Sequence, residues 1–80
     1  MAIKIATWNM ACWSHRKVHD EAWAFLLDEV APDIALVQEA CPPAQLDPSG
    51  LAWRPLKRRN GKVERWGTGV VTRGLPITCL

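Results

Sequence analysis

The sequence lacks three features that would place it in well-marked classes of protein. No apolar run approaches the roughly 20 residues that a membrane-spanning helix needs. Residues 1–4 carry a charge where a signal peptide would have its apolar run, and no small-residue cleavage site follows. The three cysteines are odd in number and include no C-x-x-C pair, so a disulfide scaffold is not expected. We therefore expect a soluble, cytoplasmic protein with reduced thiols and no membrane partner.

The chain is short for the amount of aromatic surface that it carries. A chain of 80 residues has room for one domain and buries only about 60% of the surface of its unfolded form. Most of its five tryptophans need a large apolar neighbour. We expect them to lie mainly in the core, with Trp13 as the candidate exception because it lies in a loop, where it could stack on a base. We also expect surplus apolar surface through which copies self-associate. The tryptophans are Trp8, Trp13, Trp23, Trp53 and Trp66.

Charge is divided unevenly along the chain. Residues 1–40 carry three basic and six acidic groups, whereas residues 41–80 carry seven basic and two acidic groups. The acidic first half is suited to binding a cation, and the basic second half is suited to binding phosphates. Six of the basic groups lie in residues 54–65. This segment is either a solvated hairpin loop or a module that binds nucleic acid or another acidic partner.

The first half of the chain has the pattern of a βαβ unit. Residues 2–8 alternate as a strand does, and residues 17–30 carry an apolar stripe at helical spacing that Pro32 ends. Residues 34–38 are almost continuously apolar, as in a strand that is covered on both faces. Because the connection is a helical crossover, the two strands are predicted to be parallel.

The second half has the pattern of a β-hairpin. Residues 51–56 are predicted to form a short strand, which Pro55 either confines to a sheet edge or ends. Asn60-Gly61 is a strong signal for the turn into a strand at residues 66–73. Residues 77–80 resemble the first residues of another strand. No repeat or linker interrupts the chain, so residues 1–80 are predicted to belong to one domain.

Asn9 and Glu39 follow directly on the two parallel strands. The carboxyl ends of such strands meet at one edge of a sheet, where ligands bind. Amide and carboxylate oxygens are hard donors that suit Mg²⁺ or Mn²⁺. Taken alone, each residue is readily explained as a cap or as an exposed strand end. Taken together, they predict a metal site.

A second metal hypothesis concerns soft donors. His15 and His19 lie four residues apart, and Cys12 is nearby, which raises the hypothesis of a zinc site. This spacing is common by chance and no fourth ligand is evident. The competing interpretation is that both histidines are exposed at the start of a helix and that the cysteines are buried apolar fillers.

The order and spacing of these motifs resemble the endonuclease/exonuclease/phosphatase superfamily, which has the deoxyribonuclease-like fold. The motifs are Thr7-Trp8-Asn9, Pro32-Asp33-Ile34 leading to Gln38-Glu39, and the run Trp66-Gly-Thr-Gly-Val-Val-Thr-Arg73. The resemblance implies an α/β fold, of which this chain is the N-terminal βαβ unit plus a β-hairpin of a four-layered α/β sandwich. It also implies a Mg²⁺-dependent phosphoesterase, either a nuclease or a phosphatase that hydrolyses phosphodiester or phosphomonoester bonds.

The resemblance also implies roles for particular residues. Asn9 matches the amide that holds the metal or the scissile phosphate, and Glu39 matches the principal metal-binding carboxylate. His15, Arg16 and Lys17, in the loop that borders the active edge, become candidate phosphate contacts. The superfamily's later catalytic motifs have no match here. We therefore expect a truncated, partial domain (a fragment, a shortened reading frame or a degenerate copy) with little or no activity alone.

Overall fold

A four-stranded mixed sheet with one helical segment packed against it forms the framework of the molecule. The computed structural model describes residues 2–14, 16–43, 46 and 50–78. Its strands follow the order β1-β2-β4-β3 in the sheet. They are β1 (Ile5–Asn9), β2 (Ile34–Ala40), β3 (Leu51–Lys57) and β4 (Val63–Thr72). The described residues thus form a small mixed α/β domain.

The predicted βαβ unit is confirmed. β1 and β2 pair in parallel, with Ile5 opposite Ile34 and Asn9 opposite Gln38. β4 pairs with the other side of β2 in the antiparallel sense, so β2 lies inside the sheet. The carboxyl ends of β1 and β2 therefore lie side by side.

The helical segment changes its winding along its length. A 3₁₀ turn (Arg16–Val18) leads into the α-helix α1 (His19–Ala24), and a π-helical stretch (Phe25–Val30) follows. Its extent matches the prediction, although the wider π turns were not predicted. The segment ends at Ala31, whose φ of 47° is left-handed and whose N–H donates to Leu26 O at 2.9 Å.

The core lies between the helical segment and one face of the sheet. Trp23 and Leu26 are each 1% exposed and pack with Val37, which is fully buried. On the opposite face, Ile5 is 64% exposed and Leu36 is 41% exposed. The expectation that both faces of β2 are covered is therefore wrong for the described part of the chain, because its single helical segment covers one face.

The predicted hairpin between β3 and β4 is confirmed. Pro55 lies on the edge strand β3, the place in a sheet to which its missing N–H confines it. Gly61 N–H donates to Arg58 O at 2.9 Å, and the φ of 88° at Gly61 closes the turn. The predicted final strand is not found at residues 77–78, whereas residues 79–80 lie outside the described residues.

No helix among the described residues is a candidate for crossing a membrane. Even the combined helical segment from residue 16 to residue 30 stays below the length and apolar character that a crossing needs.

The left-handed end of the helical segment gives a test of local backbone strain. Ala31→Gly is expected to raise the free energy of unfolding by about 0.5–1 kcal/mol, because glycine adopts positive φ without a Cβ penalty. Ala24→Gly, at an exposed position of right-handed helix, is expected to lower it by a similar amount. Urea unfolding followed by tryptophan fluorescence measures both. Equal signs for the two variants would contradict the left-handed assignment.

Glu64 on β4 gives a test by pH. Arg58 Nε donates to Glu64 Oε1 at 2.6 Å, and this contact lowers the pKa of Glu64 below its ordinary 4.5, although partial burial opposes the effect. The stabilisation is present above pH 4.5 and is lost as the pH falls through the lowered pKa. Arg58→Gln is expected to raise the pKa of Glu64 in a carboxyl NMR titration.

Arg59→Gln is the matched control for this titration. Arg59 lies in the same turn and makes no ion pair within the part of the chain that the structure describes. An equal rise in the pKa of Glu64 in both variants would attribute the effect to net charge rather than to the Arg58 contact.

Candidate functional site

The ends of β1 and β2 bring the side chains of Asn9 and Glu39 into contact. Asn9 Nδ2 donates to Glu39 Oε2. Asn9 Oδ1 accepts a hydrogen bond from the N–H of Ala11 at 3.1 Å. The amide is therefore fixed at both ends, and it orients the carboxylate. The convergence expected from the sequence is present, whereas metal binding by either side chain stays a prediction.

Glu39 reaches Asn9 because β2 departs from regular geometry. Asn9 is in register with Gln38, and regular alternation would send Gln38 and Glu39 to opposite faces. The pairing of β2 with β4 shifts between Val37 and Ala40, and Glu39 has a φ of 50°. A bulge of this kind re-aims a side chain, and left-handed non-glycine residues are concentrated at functional sites.

Three tryptophan indoles donate hydrogen bonds to three consecutive residues at the end of β2. Trp13 is 57% exposed, in agreement with its place in the loop after β1, which made it the expected exception among the tryptophans. The pairs are Trp13 Nε1 to Glu39 Oε1, Trp53 Nε1 to Ala40 O (3.2 Å) and Trp23 Nε1 to Cys41 O (2.8 Å).

Glu39 lines a cleft with the basic residues of the hairpin. The cleft has a volume of about 360 Å³, and its lining residues include Glu39 and the exposed residues Arg54 and Lys57. It is lined by Gln38, Glu39, Arg54, Pro55, Leu56, Lys57, Trp66, Gly67 and Thr68. A residue that suits a cation and residues that suit an anion therefore border the same space, a combination that the sequence motifs did not predict.

The candidate phosphate contacts in the loop after β1 are only partly described. His15 lies outside the described residues, and so does the side chain of Arg16. Lys17 is exposed and does not line the cleft of Glu39. A role of these three residues in phosphate binding stays a prediction.

A second group of ligand atoms lies on the other side of the β2 end. A ring nitrogen of His19 and the sulfur atoms of Cys12 and Cys41 lie within 4.8 Å of one another. The sequence-based zinc hypothesis named Cys12 and His19, with His15 as the third residue. Cys41 was missed, because it is distant in sequence and only the β1–β2 pairing brings it near.

Comparisons of the chain with protein-family models, with curated proteins and with solved structures gave no match. The function is therefore inferred from the chemistry and geometry of the two sites. Both sites include the end of β2; α1 adds His19 to one of them, and β3 adds Arg54 and Lys57 to the other.

The cleft depends on a close approach between β3 and β4 at Gly67. A Cβ on Gly67 would lie 2.0 Å from Arg54 O and 2.7 Å from Pro55 Cα. Gly67→Ala is therefore expected to destabilise the domain by about 1–3 kcal/mol, since backbone must move. Gly69→Ala is the control, because its nearest neighbour is Trp53 Cδ1 at 3.2 Å, on a side chain. A smaller loss for Gly67→Ala than for Gly69→Ala in urea unfolding would contradict this pairing.

Proposed function

We propose that the chain provides the metal-binding corner of a phosphoesterase site of the endonuclease/exonuclease/phosphatase type, with Mg²⁺ or Mn²⁺ held by Glu39. The observation that carries the proposal is the placement of the Glu39 carboxylate. It lies at the carboxyl edge of two parallel strands and is held by two N–H donors, and Glu39 lines a cleft together with Arg54 and Lys57. The deoxyribonuclease-like assignment and the cytoplasmic location belong to the same proposal.

The carboxylate of Glu39 retains acceptor capacity for a metal. Each of its oxygens accepts one hydrogen bond, from Asn9 or from Trp13, which leaves a further lone pair on each. Asn9 Oδ1 likewise has a second lone pair beside the bond from Ala11. Mg²⁺ keeps several waters and needs only one or two carboxylates when a substrate phosphate completes its shell. Glu39 is therefore the principal ligand, Asn9 orients the carboxylate and can add its own Oδ1 as a second ligand, and Trp13 is a positioning residue.

Arg54 and Lys57 supply the positive charge that a phosphate needs. Their exposed side chains line the Glu39 cleft from β3. A phosphate ester that bridged the metal and these cations would have its charge neutralised from both sides. The substrate class is accordingly a phosphodiester or a phosphomonoester, nucleic acid included.

Hydrolysis needs more groups than this corner supplies. Attack on phosphorus requires a base to orient water and a donor for the leaving oxygen, in addition to the metal. The cleft offers one carboxylate and no histidine among its lining residues. We therefore expect no detectable turnover of bis(para-nitrophenyl) phosphate by the chain with added Mg²⁺. Robust turnover would contradict this expectation and would indicate a complete catalytic set.

Metal binding tests the proposal directly. The free Mn²⁺ signal in electron paramagnetic resonance is expected to fall when the chain is added, and to fall further with inorganic phosphate. Glu39→Gln is expected to abolish both decreases, because the charged ligand is lost. Asn9→Ala is expected to weaken Mn²⁺ binding by about tenfold, as loss of an orienting group does. Arg54→Gln is expected to remove only the phosphate-dependent part.

The matched control is Glu29→Gln. Glu29 is an exposed carboxylate at the end of the helical segment, so the substitution removes the same charge away from the cleft. Retained Mn²⁺ binding in Glu39→Gln, or equal losses in Glu29→Gln and Glu39→Gln, would exclude Glu39 as the ligand.

A second candidate function is supported by the exposure of the hairpin cations. All six basic residues between positions 54 and 65 are exposed, as a non-catalytic module that binds nucleic acid by charge requires. Binding of a single-stranded DNA oligonucleotide would then weaken steeply with salt, with a logarithmic slope of about −0.7 per phosphate contact. It would not depend on Mg²⁺ or on Glu39→Ala. A loss of binding in Glu39→Ala would instead favour the metal site.

A further inference from the structure

His19 is the buried polar residue that the proposed phosphoesterase site leaves unused. It is 8% exposed, and its Nδ1 is buried without a hydrogen-bond partner in the described part of the chain. A buried polar atom without a partner costs about 1–3 kcal/mol. Such an atom requires an explanation, and a missing ligand is one of the standard explanations.

The other ring nitrogen is already engaged by the backbone of Cys41. His19 Nε2 lies 2.9 Å from Cys41 O, and 3.0 Å from the Cys41 N–H that points at it. The indole N–H of Trp23 also points at Nε2, at 3.1 Å, so without a metal Nε2 accepts and the ring proton lies on Nδ1. A metal on Nδ1 requires the other tautomer, in which the proton lies on Nε2 and is donated to Cys41 O while Nδ1 presents its lone pair. A metal-bound histidine characteristically uses one nitrogen for the metal and donates the other N–H to a carbonyl or carboxylate.

Two sulfur atoms lie where a metal on His19 would need them. The sulfurs of Cys12 and Cys41 and a ring nitrogen of His19 are within 4.8 Å of one another. Two sulfurs bound to one tetrahedral zinc lie about 3.8 Å apart, given Zn–S bonds of about 2.3 Å. Small side-chain rotations therefore close the cluster around an ion. Cys12 is buried at 6% exposure, so the site is largely dehydrated.

The ligand set selects the kind of metal. Two thiolates and one imidazole are soft and borderline donors, which suit zinc and exclude Mg²⁺. Two thiolates also neutralise the charge of a divalent ion, so a buried ion carries no net charge. This set shares no side chain with Glu39 and Asn9, whose oxygen donors prefer hard cations.

The three ligand residues line a cleft, and among the described residues no fourth ligand atom joins them. A cleft of about 330 Å³ is lined by the three ligand residues together with Asp20, Pro42 and Arg65. Closed structural zinc sites have four protein ligands, whereas three ligands and an open position are typical of catalytic sites. Asp20 and Arg65, both exposed, lie at this opening.

We infer that Cys12, His19 and Cys41 form a zinc-binding site with an open fourth position, distinct from the Mg²⁺ or Mn²⁺ site at Glu39. Trp23 stabilises this zinc-binding site, because its indole N–H donates to Cys41 O at 2.8 Å and its ring packs edge-on against His19. The carbonyl of Cys41 thus orients the imidazole and is itself held in place.

Cobalt is the probe that tests this site, because Co²⁺ takes the same ligands as zinc and is coloured. Added to the reduced full chain, Co²⁺ is expected to bind one per chain. The spectrum should be that of a four-coordinate ion, with a thiolate-to-cobalt charge-transfer band, and Zn²⁺ should displace the cobalt. Cys12→Ser and Cys41→Ser are each expected to reduce that band to about half and to weaken binding more than about tenfold.

Two controls match these variants. Cys79→Ser removes a cysteine that is not in the proposed set, and Glu39→Gln removes the hard-metal ligand; both are expected to keep the full charge-transfer band. Loss of the band in Cys79→Ser, or its full retention in Cys12→Ser or Cys41→Ser, would overturn the proposal. So would a six-coordinate spectrum without a charge-transfer band in the unmutated chain.

A measurement without substitution covers the case in which a variant does not fold. Cadmium NMR of the unmutated chain reports the ligand atoms through the cadmium chemical shift. A shift in the range of two sulfur ligands with nitrogen is expected. A shift typical of oxygen ligands alone would overturn the proposal.

Discussion

The end of β2 is fixed by three indole N–H groups, and both candidate sites depend on this arrangement. The three tryptophans come from the loop after β1, from α1 and from β3, and they donate to three consecutive residues. A strand that leaves regular pairing through a bulge must find new partners for its polar groups. Tryptophan is suited to this, because it is donor-only and carries a large apolar ring that packs beside the bond.

The bulge explains why a glutamate adopts a left-handed backbone. Positive φ is unfavourable for glutamate and persists only where the surroundings enforce it. Here the surroundings are hydrogen bonds from Asn9 and Trp13 to the carboxylate, and the bond from the Cys12 N–H to Glu39 O at 2.8 Å. The loop after β1 therefore holds both the side chain and the backbone of this residue. Local strain and carboxylate placement have the same cause.

Much of the framework could be predicted from the sequence, because it follows from local patterns. Apolar alternation, helical spacing and the Asn60-Gly61 turn gave the order of the elements, and Pro55 placed β3 at an edge. The bulge could not be predicted in this way. Residues 34–40 have the composition of an uninterrupted strand, and the positive φ of Glu39 arises from contacts with residues about 30 positions earlier.

The same distinction between local patterns and tertiary contacts applies to the residues of the candidate sites. Asn9 and Glu39 could be named from the sequence because each ends a strand, and the parallel pairing rule places strand ends together. Trp13, Arg54 and Cys41 could not, since each joins its site only through tertiary packing. The zinc hypothesis was right in naming Cys12 and His19 as neighbours, but it sought the third ligand at helical spacing. The structure places Cys41 there, directly after the strand that α1 packs against, and His15 lies outside the described residues.

The two proposed metal sites draw on neighbouring residues of one short segment. Glu39 lines the hairpin cleft, and two residues later Cys41 lines the cleft beside α1. Hard cations bind thiolates poorly, and zinc prefers two thiolates and an imidazole to a lone carboxylate with waters. A chain with both ligand sets therefore does not need selective pores or rigid cages to separate the two metals. The donor atoms alone determine which ion binds at which site, provided that the indoles keep residues 39–41 in this conformation.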